Sequence, residues 1–373
     1  FPYENHPIRE SQQDVDYDGE QQIKAYYGML ELPLTKWLTL SGGLRVERTR
    51  IGIVNDAEKD AIWFPDLSNP IPQPIEPGVA DVLYTKKNQL PSYTLVATPL
   101  SSLTLRASYN ETVARQTFKE LSPIQQQEYL GAPVFLGNPK LEMSTLQNYD
   151  LRVDYRPNAS TFASVSWFRK LIEDPIEYVQ RVYAFDFTTA VNYPRGTLKG
   201  WEFELRQGLG PLWKPLSGLS VGANLTLIDA EVTLDAEEAR GFNDPNIMAP
   251  ITSRDMTNAP DRLYNLYCTY DIAATSTQVS LFYTVTGDTL LAGAGQSKGN
   301  FVPSVYALEY ETLNLSFAQK LGRYATLQIR GKNLTNPEIK RVYRSAYIDS
   351  DVPRSSFSRG VDWSFSLSGE FTF

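Results

Sequence analysis

The sequence predicts an all-β protein, an antiparallel β-barrel whose strands cross a bilayer, and three observations carry that prediction. Apolar and polar residues alternate with a two-residue period; the alternating segments approach the roughly 9 to 11 residues that a tilted strand needs to cross a membrane; and the connections alternate between short and long. The C-terminal segment is the clearest case. Val361, Trp363, Phe365, Leu367, Gly369, Phe371 and Phe373 alternate with Asp362, Ser364, Ser366, Ser368, Glu370 and Thr372. Successive side chains of a strand point to opposite faces, so this segment has one apolar and one polar side.

The same period recurs in Leu103 to Asn110, in Tyr149 to Tyr155 and in Trp201 to Arg206. Thirteen strands follow, beginning near Gln21, Leu38, Ser92, Leu103, Asn148, Thr161, Lys199, Leu219, Leu263, Gln278, Glu311, Ala325 and Gly360. Phe118 to Tyr129 alone suggests a helical turn, between strands. Short connections (33–36, 99–102, 157–160, 321–324) alternate with long polar ones such as 54–89 and 235–259, the order of periplasmic turns and extracellular loops in outer-membrane barrels. By that parity the last strand ends in the periplasm, residues 1–20 are an extracellular lead-in, and residues 21–373 are the barrel.

Composition is compatible with this reading and excludes others. No stretch approaches the about 18 apolar residues of a helical span, whereas a barrel needs no such run because its strands alternate. Mean hydropathy is accordingly only −0.32. The net charge of −8 argues against nucleic acid, whose phosphates require a basic face. Cys268 stands alone, so neither an internal disulfide nor a Cys-based metal site is available. Phe1 to Asn5 lack a basic region and an apolar run, so an exported protein would start upstream of residue 1. A soluble β-sandwich also alternates. Against it stand long uniform strands, long loops all on one side, and Arg, Asp and Glu at many successive polar-face positions, as in a wet lumen.

Ordered motifs narrow the class. The terminal Phe371-Thr372-Phe373, with Trp363 and Phe365 on the same strand, resembles the signal read by the barrel-assembly machinery. Leu105 to Gln116 with Phe118-Lys119-Glu120-Leu121, then Gly137-Asn138-Pro139-Lys140-Leu141 and Asn148-Tyr149-Asp150-Leu151, resemble segments of TonB-dependent receptors in the family's order. Gly200-Trp201-Glu202-Phe203-Glu204 and Lys332-Asn333-Leu334-Thr335-Asn336-Pro337 resemble two more, and the loop wording is similar to large Bacteroidetes-like receptors. The resemblance implies a Gram-negative outer-membrane barrel of about 22 strands around an N-terminal plug. The plug, the TonB box and about nine strands are absent here, so the thirteen would be the C-terminal part. Outer-membrane lipid, the TonB complex acting through a plug, and a surface lipoprotein or another outer-membrane protein are the implied partners.

Enzymatic chemistry has little to work with. His6 is the only histidine and lies in the lead-in, so no strand supplies a His base or a multi-His metal site. Gly218-Leu219-Ser220-Val221-Gly222 fits the letters of a nucleophile elbow but opens a strand, and no His follows it. No cofactor is expected. Asp14, Asp16 and Asp18 with Gly19 have the oxygen spacing of a calcium loop, yet Ala25 stands where a bidentate Glu is required; the segment is either a looser surface site or a solvated acidic strand entrance. Trp63, Phe64, Tyr129, Phe135 and Tyr178 fall in extracellular loops, either as a recognition surface, or packed among the loops themselves, or, close to strand ends, as a membrane-interface belt. Arg106, Arg152, Glu202, Glu204, Arg206 and Arg330 fall on the lumenal face, either lining a solute path or cross-pairing to stiffen the wall and meet a plug. The resemblance implies TonB-energised uptake of a ferric siderophore, cobalamin or oligosaccharide; a plugless structural or interaction barrel is the alternative.

Overall fold

The computed structural model describes residues 15–57, 62–63, 65, 71–126, 134–182, 186–297 and 299–369. Thirteen strands pair in chain order, each antiparallel to the next. They are β1 (Val15–Thr35), β2 (Leu38–Ala57), β3 (Val82–Leu100), β4 (Leu103–Ala114), β5 (Ser144–Asn158), β6 (Thr161–Glu173), β7 (Arg195–Gly208), β8 (Leu219–Thr233), β9 (Arg262–Ile272), β10 (Thr277–Thr286), β11 (Tyr310–Leu321), β12 (Ala325–Lys332) and β13 (Asp362–Gly369). Each predicted strand is present in the predicted order. The short strand Ser253–Asp255 also joins β8. The wall ends at β1 and β13, which do not pair with each other.

The wall is an inverted sheet by the standards of a soluble protein. Leu151, Val153, Tyr155, Trp201, Phe203 and Leu205 are large, apolar and between 40 % and 52 % exposed, all on one face. Water would not tolerate so continuous an apolar surface, whereas lipid tails do. The opposite positions carry Arg106, Asp150, Arg152, Asp154, Glu202 and Glu204, and the register keeps this polar row on one side across neighbouring strands, Arg106 opposite Arg152 and Glu204 opposite Asn224.

Strand length is where sequence and structure part. The bilayer requires roughly 9 to 11 residues, but β1, β2 and β3 run for 21, 20 and 19. Their pairing continues past the apolar band, from Leu38 opposite Ala97 to Ile53 opposite Val82, because a ladder satisfies its backbone groups equally well in water. The expected connection 54–89 is therefore shorter, with its far half built into β3, and residues 15–20 of the expected lead-in belong to β1. The expected helical turn is a single turn, Phe118–Leu121, closed by a reciprocal cap: Thr117 Oγ1 accepts from the Glu120 amide at 3.2 Å, and a Glu120 carboxylate oxygen accepts from the Thr117 amide at 2.7 Å.

The motif segments are structural ties. The Asn148 side-chain amide donates to the Asn110 carbonyl (3.2 Å), the Asn110 side-chain oxygen (3.1 Å) and Thr112 Oγ1 (3.0 Å), joining β4 to β5. Gly200 faces Phe168 across β6 and β7, and a Cβ at Gly200 would strike that ring. After β12, Asn333 turns into the left-handed region at φ 56°, its amide donating to Asn314 Oδ1 (2.9 Å) and its side chain to the Gly360 carbonyl (2.7 Å). Asn336 Oδ1 accepts from the Gly360 amide at 3.0 Å, so three strands are tied by one turn. Asn333→Ala removes both the left-handed tolerance of Asn and its side-chain bond; a loss of about 2 to 4 kcal/mol is expected, measured by urea unfolding of the refolded barrel in detergent.

Candidate ligand-recognition site

Six long connections (58–81, 115–143, 174–194, 234–261, 287–309 and 333–361) leave the same end of the wall, and six short ones leave the other. Charge organises the polar face below the loops. Asp154 accepts from Arg106 and, at 2.7 Å, from Arg152, whose guanidinium also reaches Ser166 Oγ (3.3 Å) and Glu204 (3.5 Å). Nearer the loops, Glu47 is 3 % exposed and binds both Arg45 (2.9 Å) and Arg115, while Arg115 Nε donates to Thr49 Oγ1 at 3.1 Å. A cavity of about 210 Å³ opens on the same face beside Tyr310, Thr312, Asn314, Lys332, Asn333 and Arg359, with a basic pair and no acid among its lining residues.

The loops hold the apolar cores of the described residues. One joins Leu121, Phe135, Leu141 and Ala190 to Ile51, Ile53 and Val82. The other joins Val179, Tyr193, Leu234, Phe242, Met256 and Ala294 to Ile172 and Val232. Strand parity settles which way these cores lean. Ile51 and Ile53 share the face of Glu47, Ile172 that of Ser166, and Val232 that of Asn224, so every strand residue in the cores sits on the polar face. The loops therefore fold inward, over the lumen, instead of outward over lipid.

Polar locks fix this roof. The Tyr178 and Gln180 backbones bridge 174–194 to 287–309, Gly293 donating to the Tyr178 carbonyl (2.8 Å) and Gln180 to the Gly293 carbonyl (3.0 Å). Glu177 is 1 % exposed and accepts from the Thr257 amide at 2.8 Å and from Arg254 at 3.5 Å. The Arg254 guanidinium lies 5.1 Å from the Tyr193 ring, and Glu238 accepts from Arg181 (3.3 and 3.2 Å) and the Tyr193 hydroxyl (2.9 Å). Burial raises the Glu177 carboxyl above its ordinary range, against the opposing pull of Arg254 and the Thr257 bonds.

The residues predicted for recognition divide. Phe135 and Tyr178 meet edge to face at 5.5 Å inside a loop core, with the Tyr178 hydroxyl donating to Glu120 at 2.8 Å; burial and Glu120 push that phenol upward. Both rings are packed within the roof. Trp63 is half-buried and bridges to Ile124. Phe64, Tyr129, Asp14, Phe371 and Phe373 lie outside the described residues. Asp16 and Asp18 lie on extended β1, opposite Asp56 and Val54, and so are not wound into a calcium loop. Ser220 lies in β8, its hydroxyl directed at the Thr269 carbonyl (3.5 Å), with no elbow turn. Trp363 and Phe365 face away from the polar row, Phe365 being 71 % exposed. Glu202, Arg206 and Arg330 share the polar face with Arg106, Arg152 and Glu204, and Arg330 donates to Gln328 at 3.1 Å. Lys332, Arg359 and the Glu177–Arg254 pair escaped the sequence reading, because nothing local marks a residue brought into place by another loop.

An antiparallel wall with an apolar outside, a charged inside and a folded roof at one mouth defines an integral outer-membrane barrel. The chain belongs to the TonB-dependent receptors: the family model "TonB dependent receptor-like, beta-barrel" matches residues 2–334. It is a family of receptors and transporters of the outer membrane. The chain is similar in structure to the ferric yersiniabactin uptake receptor FyuA from Yersinia pestis, at 15 % identity and TM-score 0.59, over 96 % of this chain and 47 % of that one. The copper transporter OprC (15 %, 0.58, 95 % and 49 %) and the ferric citrate transporter FecA (12 %, 0.58, 95 % and 46 %) are similar over the same extent. The chain thus spans about half the length of these proteins. No curated protein sequence matches it significantly.

Arg254→Met leaves Glu177 buried without its cation and should cost the roof about 3 to 5 kcal/mol, read as faster amide exchange in 176–182 with β5 to β8 unchanged. The raised carboxyl also sets a pH dependence. The folded roof holds its proton more tightly than the open one, so stability is full below the ordinary Glu range, about pH 4.3, and declines as pH rises from there through the elevated value. Exchange in 176–182, corrected for intrinsic rate, should quicken over that window, and Glu177→Gln should abolish the trend.

Proposed function

We propose that this barrel serves TonB-energised uptake of a scarce anionic solute, a ferric siderophore chelate before cobalamin or a neutral oligosaccharide. The observation that carries this reading is the inward roof: loops locked together over a charged lumen form a pre-organised mouth, which lowers the ordering cost of capture. The basic cavity at Lys332 and Arg359 favours a negatively charged chelate, and the Arg106–Asp154–Arg152–Glu204 row adds charge to the lumenal face of β4 to β7. The proteins of similar structure include a ferric yersiniabactin uptake receptor, a copper transporter and a ferric citrate transporter. In this reading the lumen is closed by a plug through which TonB pulls, and the free edges of β1 and β13 pair with the remaining strands of the family barrel.

Uptake of radiolabelled iron chelates, cobalamin and oligosaccharides by a deletion strain carrying the full receptor tests the proposal. Iron-chelate uptake that depends on TonB is expected, and uptake of cobalamin or glycan alone would overturn the solute class. Val179→Asp, which puts a charge into the roof core, should weaken binding by about tenfold or more while the barrel stays heat-modifiable on gels. Lys332→Gln with Arg359→Gln should weaken chelate binding and leave the roof's proteolytic resistance unchanged.

A further inference from the structure

The lipid-facing side of β1 to β3 changes character abruptly at its extracellular end. On β2 the outward residues Leu38, Leu40, Leu44 and Val46 are followed by Arg48 and Arg50; on β1 Leu32, Leu30 and Tyr26 are followed by Lys24; on β3 Leu95, Tyr93 and Pro91 are followed, after Gln89, by Lys87. Leu38 to Val46 is a run of nine residues, within the roughly 9 to 11 that a tilted strand needs to cross the bilayer, so the apolar band is complete and the cations begin at headgroup level. The register then does something unfavourable for an isolated protein. Lys24 lies directly opposite Arg48, and Arg48 directly opposite Lys87. Like charges placed directly across adjacent strands repel, at about 5 Å between strands.

No ion pair among the described residues offsets this repulsion, and all four cations are exposed. Glu20 stands opposite Gly52, two residues along β1 from the Gln22–Arg50 pair and diagonally across from Arg50, and Glu111 on β4 is engaged by the Tyr109 hydroxyl at 2.6 Å. On the same outer face of β7 and β8 the arrangement is different: Lys199 has Asp229 opposite and bonded at 3.0 Å. Immediately beyond the cation row lies a groove of about 500 Å³, where Arg50 adjoins Gly52, Val54 and Leu83, with Asp18, Glu20 and Asp81 also lining it. No atom approaches where a Cβ would stand on Gly52.

We propose that Lys24, Arg48, Arg50 and Lys87 bind the phosphate-bearing headgroup of an outer-leaflet glycolipid, with the groove beside Gly52 receiving its sugar. The cations supply charge-assisted hydrogen bonds to phosphate. The acids of the groove accept from sugar hydroxyls, which a simple phospholipid headgroup would not offer in number. The level of the row fixes the source: a lipid anchored beneath it holds its phosphates at that height, and a free anion gains nothing from the apolar band below.

The receptor purified from outer membranes in neutral detergent provides the test. Co-purified lipid is identified by phosphorus assay and mass spectrometry, and thermal midpoints are recorded in detergent alone, with lipid A micelles and with inorganic phosphate. The wild type should retain phosphorylated glycolipid and gain thermal stability with lipid A. The variant Lys24→Gln/Arg48→Gln/Arg50→Gln/Lys87→Gln should lose about tenfold or more of that affinity and melt no lower than the wild type in detergent alone, since the repulsion is removed. Lys199→Gln should retain the lipid. Equal retention by the fourfold variant would overturn the proposal, as would an equal gain from inorganic phosphate. Should the fourfold variant melt lower, Arg48→Lys/Arg50→Lys must keep the lipid, and its loss there would overturn the proposal as well.

Discussion

Every backbone amide and carbonyl within the hydrocarbon layer needs a protein partner, because the bilayer offers none. That constraint explains the antiparallel wall and the strict two-residue period, since each strand meets lipid on one side and water on the other. It also makes β1 and β13 the most demanding parts of the structure. Among the described residues their outer ladder groups have no strand partner, and β1, at 21 residues, is the longest strand. Edges of that length belong beside further strands.

The wall has no interior in the ordinary sense. Its apolar residues dissolve in lipid and its polar residues cross-pair, so the compact apolar packing moves to the loops. There Val179, Tyr193, Phe242 and Leu290 are no more than 1 % exposed, as in a soluble domain.

Sequence periodicity located all thirteen strands because alternation is a local property that lipid and lumen read one residue at a time. It failed at the extracellular ends of β1 and β3, residues 15–20 and 82–91, where polar residues such as Lys86 and Lys87 occupy both faces and the contrast fades. The loop aromatics were ambiguous for a related reason. Phe135 and Tyr178 look alike as exposed anchors or as core until their partners, Leu121, Ala190 and Glu120, are known, and these come from other segments.

By itself, then, the sequence determined the strands, their order, the side on which the loops lie and the receptor family, all of which rest on period and ordered motifs. Only the tertiary structure decided that the loops fold inward, that Glu177 meets Arg254 across 77 residues, and that Lys24, Arg48 and Lys87 stand in one row. These are consequences of register and loop closure. A shift of a single residue would send every side chain of a strand to the opposite face, and no local pattern records which distant residue lies opposite.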